Sequence, residues 1–276
     1  LSALTLAKAL VNEHIYVDMS FPNKICKINK SRTIGISKSN YEYFNKRIIN
    51  IEKIIWKLNK IEIFSDNLKN EKILNFENNN DQLFSIIKNY QLQNILYKNL
   101  SKNKFFKKIK LEKKLIDSEK YNIVVNTDYS NTITKKYFNK KITKSYKSLA
   151  FTAVIYHEKI SNNIATQIFT KNGPLAFLPI SKNTTSIVYS MHNAKKSNKD
   201  NFLNLIKKYN SKYRIKKINN SIDKETSKDL IAPFYGLNLI EYLASENINW
   251  SGNVIAPNYL ISAMLIYNHE NKKNFL

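Results

Sequence analysis

The chain has only four glycines, five prolines and one cysteine in 276 residues. A single cysteine, Cys26, excludes an internal disulfide and suits a reducing compartment. It reads as an ordinary half-buried thiol rather than a nucleophile. No apolar run reaches transmembrane length, and the opening LSALTLAKALV is too short to span a bilayer. That segment also lacks the charged start and small-residue cleavage site of a signal peptide. The four histidines (14, 157, 192 and 269) stand singly, so the sequence offers neither a metal-ligand cluster nor a nucleophilic triad. Acids are also scarce: 21 Asp and Glu against 45 Lys and Arg give a net charge of +24. Such a balance invites a polyanionic partner. The lysines are nevertheless spread over the whole chain beside Asn and Ile. The densest run, Lys102 to Lys114, is interleaved with Phe105, Phe106, Ile109 and Leu111, as in a strand or short helix with one solvated face. Dedicated nucleic-acid binding is therefore not the reading. An anionic membrane surface, which responds to charge alone, suits the composition better.

What is present is 43% apolar residues, enough for one large core or two smaller ones. Because Gly and Pro are rare, their clustering in Gly173-Pro174-Leu175-Ala176-Phe177-Leu178-Pro179 marks imposed backbone geometry. Along the chain, Leu1 to Leu10 reads as an apolar helix. His14 to Asp18 then reads as a short strand ending in an acid. Helix, strand and terminal acid form the second half of a βαβ nucleotide-binding unit, whose glycine loop precedes the helix. No glycine occurs before Gly35, so that loop would lie upstream of Leu1. The expectation is either an N-terminal truncation or a chain that never had the loop. Residues 60–66, 73–76 and 83–87 alternate as strands, and residues 89–101 return to helical spacing. Tyr121 to Asp128 reads as a buried strand ending in a second acid. Residues 148–190 read as successive strands, Asn201 to Tyr209 as a helix, and 237–245 and 259–268 as further helices. This order predicts an α/β protein: a partial Rossmann-like layer with an inserted mixed or antiparallel sheet.

Taken in order, these pieces resemble the ubiquinone-biosynthesis hydroxylases, FAD-dependent aromatic monooxygenases with the para-hydroxybenzoate hydroxylase fold. The resemblance is strongest at Arg32 to Ser39, RTIGISKS, and from Phe151 to Ser190, where GPLAFLP is the most specific segment. It implies that Asp18 is the acid that accepts from the adenosine ribose. It implies that Arg32 contacts the FAD diphosphate, that Gln93 lies near the flavin, and that Asp128 matches the family's Asp-Gly motif. Asp229, Pro233, Gly236 and Asn238 echo a later flavin motif. Gln167, Gly173, Pro174 and Leu175 would lie on the sheet that faces substrate. The division implied is residues 1–46, 89–147 and 218–276 for the FAD-binding domain, with 47–88 and 148–217 for the substrate domain.

Several family features are altered. The phosphate loop is absent, Tyr129 replaces the glycine after Asp128, and the glycine before Asp229 is missing. Glycine-lined helix starts hold a pyrophosphate through backbone N–H groups, and a side chain would crowd that approach. The resemblance implies a monooxygenase that uses FAD, NAD(P)H and O2 to hydroxylate a polyprenylated phenol. Such an enzyme would be cytoplasmic, peripheral on the inner membrane, and in contact with other ubiquinone-biosynthesis proteins. The altered motifs keep a second reading open, a non-catalytic relative or fragment serving lipid binding or assembly.

Overall fold

The structure is a computed structural model describing residues 1–21, 30–66, 71–78, 82–110, 121–127, 144–192, 199–219, 223–229 and 266–267. In chain order the elements begin with helix α1 Ser2–Asn12 and strands β1 Val17–Ser20 and β2 Thr33–Ser37. Helix α2 Lys38–Tyr43 follows and runs on into a π-turn, Phe44–Ile48, and a short 3₁₀ turn, Glu52–Ile54. Next come β3 Ile55–Leu58, β4 Lys60–Ser65, β5 Glu71–Glu77 and β6 Phe84–Lys88. Helix α3 Asn89–Leu100, β7 Phe106–Ile109 and β8 Val124–Val125 complete the first half. The second half holds β9 Lys144–His157, β10 Ile164–Thr170, β11 Gly173–Ser181 and β12 Thr184–His192. It ends with helix α4 Lys199–Tyr209, β13 Ile215–Ile218, β14 Asp223–Asp229 and β15 Ile266–Tyr267.

Two compact units form. One comprises Leu1–Asn23, Leu100–Ser145 and Lys228–Leu276; the other comprises Lys24–Asn99 and Tyr146–Ser227. Residues 30–46 and 89–99 thus belong to the sheet-rich unit.

In the first unit, α1 buries Leu4, Ala7 and Val11, one apolar stripe at helical spacing. β1 pairs in parallel with β7, Val17 opposite Phe106 and Asp18 opposite Lys107. The lysine-rich run therefore contributes a strand. Asp18 is the second residue of β1, not its last, because the strand starts at Val17 and continues to Ser20. His14 takes φ +61° in the turn that separates α1 from β1. The strand expected over 121–128 shrinks to the half-buried pair Val124–Val125, matched by β15. β15 itself lies where a helix over 259–268 was expected; the rest of that segment and the helix at 237–245 lie outside the described residues.

The second unit is built on an eight-stranded sheet ordered β13-β9-β12-β11-β10-β4-β5, with β14 also on β9. Neighbours along this path are antiparallel except β4 and β10, which run parallel with Lys60 opposite Ile164. Alternation gives the sheet two buried faces. On one, Leu175, Phe177, Ile187, Tyr189, Phe151 and Ile155 pack against Phe202 and Ile206 of α4. On the other, Val154, Ala165 and Ile180 meet Leu58 and Ile86 of a second, three-stranded sheet, β2-β6-β3.

The Gly-Pro cluster is explained by this packing. Gly173 has φ +136°, and a Cβ there would overlap the backbone carbonyl oxygen of Ser190 on β12. Only glycine permits both the conformation and the approach. Pro174 is the second residue of β11, and Pro179 sits beside a bulge where the register slips between Pro179 and Ser181. Both are positions at which a missing N–H costs least. Gly35 differs: a Cβ there would meet the ring of Phe84, a side chain that can move.

At one end of the main sheet a buried polar cluster joins three segments. Asn162 donates to the Ser181 carbonyl and to Thr185 Oγ1, and Tyr213 Oη donates to Asn162 Oδ1 at 3.0 Å. His157 Nε2 lies 3.0 Å from Thr185 Oγ1, and its Nδ1 lies 2.7 Å from the Glu158 carbonyl, not from the Glu158 carboxylate. Since a carbonyl only accepts, Nδ1 carries the proton and Nε2 accepts from Thr185. His157 is buried, and burial lowers its pKa; the Glu158 carbonyl opposes the shift and the Lys212 ammonium adds to it.

Gly173→Ala is expected to cost about 2–4 kcal/mol and Gly35→Ala about 1 kcal/mol, read as urea midpoints. Equal losses would mean that the Ser190 approach is not the constraint. For His157, a depressed folded pKa means its stabilising contribution is complete above about pH 6.5 and is lost as pH falls through the folded value. Urea melts at pH 7.5 and 5.5 should show a stability loss that is smaller in His157→Gln; an unchanged loss would assign it to other groups.

Candidate cofactor and substrate surfaces

In the first unit, β1 carries Asp18, and its carboxylate is already engaged. Tyr121 Oη donates to Asp18 Oδ2 at 2.6 Å. Loss of solvent, followed by the adjacent Asp18 carboxylate, pushes the Tyr121 phenol up to about 12. The phenol therefore remains a donor across the physiological range. Tyr121 lies far along the chain from Asp18, and no local pattern links them.

In the second unit, Arg32 stands at the entrance to β2. Its neighbours clamp the backbone to the main sheet: Ser31 Oγ lies 2.9 Å from Thr152 Oγ1, and Thr33 Oγ1 donates to Ser186 Oγ at 3.3 Å. Asn89 N, at the start of α3, donates to the Arg32 carbonyl at 3.0 Å. The Arg32 side chain is exposed while Ser31 and Ser186 are buried. Backbone position is thus fixed by small hydroxyl residues, and the guanidinium is presented from a rigid base. A guanidinium suits a phosphate or carboxylate through paired N–H donors.

The four residues expected to face substrate divide between the two sides of the sheet. Gln167 pairs with Ala176 on one side and Ile63 on the other, and these three share a face. Pro174 shares that face and pairs with Phe169, which is 45% exposed. Leu175 points the opposite way and is fully buried in the core beneath α4. Gly173 answers to the Ser190 approach. The half-buried face that remains, Ile63, Gln167, Pro174, Ala176 and Val188, is mostly apolar, with one amide near its middle. Such a surface can seat a ring and present one hydrogen-bonding group.

Gln93 lies one turn into α3 because the helix begins at Asn89, four residues earlier. Gln91 in the first turn is the amide that, with Lys88 and Trp56, lines a cavity. Asp128, Pro233, Gly236 and Asn238 lie outside the described residues. Asp229 ends β14, and only its backbone is described.

The sequence matches no protein-family profile and no curated protein. Solved structures do match the fold. p-Nitrophenol 4-monooxygenase PnpA from Pseudomonas putida aligns at 11% identity and TM-score 0.54, over 79% of this chain and 64% of that one. HpxO from Klebsiella pneumoniae, solved with FAD and uric acid, aligns at 10% identity and TM-score 0.55, over 75% and 59%. 2,6-Dihydroxypyridine-3-hydroxylase from Arthrobacter nicotinovorans aligns at 12% and 0.51, over 71% and 55%. The chain thus spans roughly six-tenths of the length of these proteins, and it has the mixed α/β fold of flavin-dependent aromatic monooxygenases.

The Asp18–Tyr121 contact predicts a titration. With tyrosine ring carbons labelled and Tyr121→Phe used for assignment, the Tyr121 signal should titrate near 12. In Asp18→Asn it should move toward the ordinary tyrosine value of about 10. No movement would show that burial alone sets the shift.

Proposed function

We propose that the chain is a FAD-dependent monooxygenase that hydroxylates a polyprenylated phenol in ubiquinone biosynthesis, with NAD(P)H and O2 as co-substrates. The observation that carries this is the mixed α/β fold shared with solved flavin-dependent monooxygenases. The chemistry at Asp18 fits a ribose. A ribose hydroxyl donates to a carboxylate as the Tyr121 hydroxyl now does at 2.6 Å, so ribose binding would compete with Tyr121 for Asp18. Asp18 would hold the ribose. FAD, when bound and reduced, supplies the oxygen chemistry that no side chain of this protein can supply.

The chain's own part is positioning. The face of Ile63, Pro174 and Ala176 seats a ring, and the Gln167 amide can hold a phenol hydroxyl in orientation. Apolar neighbours such as Phe169 give a prenyl tail a surface away from water. Among the described residues no helix is long and apolar enough to cross a membrane. Peripheral attachment through the +24 charge to an anionic leaflet therefore accompanies this reading.

One observation favours the second reading, a non-catalytic relative: Tyr121 already holds the carboxylate that a ribose would need. A single experiment separates them. The protein is incubated with FAD, desalted and examined for flavin absorbance. The enzyme reading expects retained flavin, at least tenfold weaker binding in Asp18→Ala, and tighter binding in Tyr121→Phe. A tenfold loss corresponds to about 1.4 kcal/mol. A colourless protein that binds no added FAD would support the non-catalytic relative. Co-sedimentation with anionic but not neutral vesicles, weakened by salt, is the outcome expected for the surface.

A further inference from the structure

The sheet-bearing unit contains a cavity of about 280 Å³ that neither reading uses. Its apolar part is Ile86 of β6 and Ile180 of β11, both buried, beside the indole of Trp56 on β3. The indole is pinned, because Trp56 Nε1 donates to the Asn162 carbonyl at 2.6 Å. Its polar part is Lys53, Lys88 and Gln91, and no carboxylate among the described residues lines it.

The charges call for a partner. Lys88 is half-buried, and loss of solvent lowers the pKa of its ammonium. Neither Lys88 nor Lys53 is paired with an acid among the described residues, although Lys57, Lys60 and Lys72 nearby in sequence all are. A partly desolvated cation without a counter-ion is costly, and an arriving anion removes that cost. Gln91 adds an amide donor in the first turn of α3, a twelve-residue helix whose positive end reinforces the attraction. The cavity volume lies just below the usual range of ligand sites, about 300–1,000 Å³, which limits an occupant to about one ring.

We propose that this cavity binds a small anion carried on one aromatic ring, with the ring beside Trp56 over Ile86 and Ile180 and the anionic group between Lys88, Lys53 and Gln91. This goes beyond the proposed hydroxylation: it requires no flavin and stands or falls independently of it. The ligand chemistry is shared by aryl carboxylates and aryl phosphates, and the experiment distinguishes them.

Trp56 supplies the readout. With the chain's other tryptophan replaced, Trp250→Phe, emission comes from Trp56 alone. The full chain is titrated at constant ionic strength with benzoate, phenyl phosphate, inorganic phosphate and benzylamine. Saturable quenching by benzoate or phenyl phosphate is expected, and the tighter of the two names the anionic group. Lys88→Met should weaken it at least tenfold and the exposed Lys53→Met about threefold, with circular dichroism unchanged. Should Lys88→Met fail to fold, Lys53→Met carries the same test. The proposal is overturned by three results: no saturable quenching, affinity unchanged in the folded lysine variants, or benzylamine or inorganic phosphate binding as tightly as the aromatic anions.

Discussion

The closeness of β11 to β12 at Gly173 is the constraint from which the sheet-bearing unit follows. A backbone carbonyl lies where any other residue would place its Cβ. That approach sets Leu175 opposite Tyr189 and Phe177 opposite Ile187. Because strand side chains alternate, this register decides which residues go beneath α4 and which face the smaller sheet; a one-residue slip would exchange the two sets. The next strand inherits the choice: Thr152 and Ser186 emerge on the side where Ser31 and Thr33 can reach them. The position of Arg32 is therefore a consequence of a glycine distant in sequence. The bulge at Pro179 performs a related task at the other end, where Thr185 turns toward His157 and Asn162.

Local pattern made much of this fold legible. The strands from 148 to 190 alternate visibly, and α1, α3 and α4 carry apolar stripes at helical spacing. The rarity of Gly and Pro pointed to the residues that fix the central hairpin. What they do was less legible. GPLAFLP read as a surface facing substrate, whereas Gly173 serves backbone contact and Leu175 serves the core. A strand motif cannot disclose which of its two faces is buried when both are largely apolar. Asp18 was found from the helix-strand order, but its donor, Tyr121, was not, because hydrogen bonds between distant segments leave no periodic trace. The pairing of β1 with β7 was equally hidden: each segment reads locally as a strand or strand candidate, but nothing local tells which strand it joins.

The lysine excess looks uniform in sequence and is not uniform in structure. Lys60 and Lys72 converge on Glu62, and Lys57 reaches Glu52. The exposed Lys57–Glu52 pair adds little stability by itself, and the pairs on Glu62 are only partly exposed. Their effect is to leave certain cations unmatched at particular places, which turns a compositional bias into a local electrostatic preference. Lys88 acquires its character from where β6 ends and α3 begins rather than from being one of many lysines.

The parallel pairing of β4 with β10 carries a consequence for how the chain comes together during synthesis. Lys60 must find Ile164, about a hundred residues later, and closing so long a loop precedes any reward from the contact. The β4–β5 hairpin can form early through local pairing, but its other flank then has no neighbour. Until β10 emerges, Ile61, Ile63 and Phe64 lie beside an unpaired edge, and β5 retains exposed Ile73, Leu74 and Phe76 even afterwards. Charged residues at both ends of that strand, Glu71, Lys72 and Glu77, interrupt the apolar stretch as edge strands commonly require. The ribosome's pace through residues 66–163 is thus the interval over which a nascent chain is most exposed to pairing with another copy of itself.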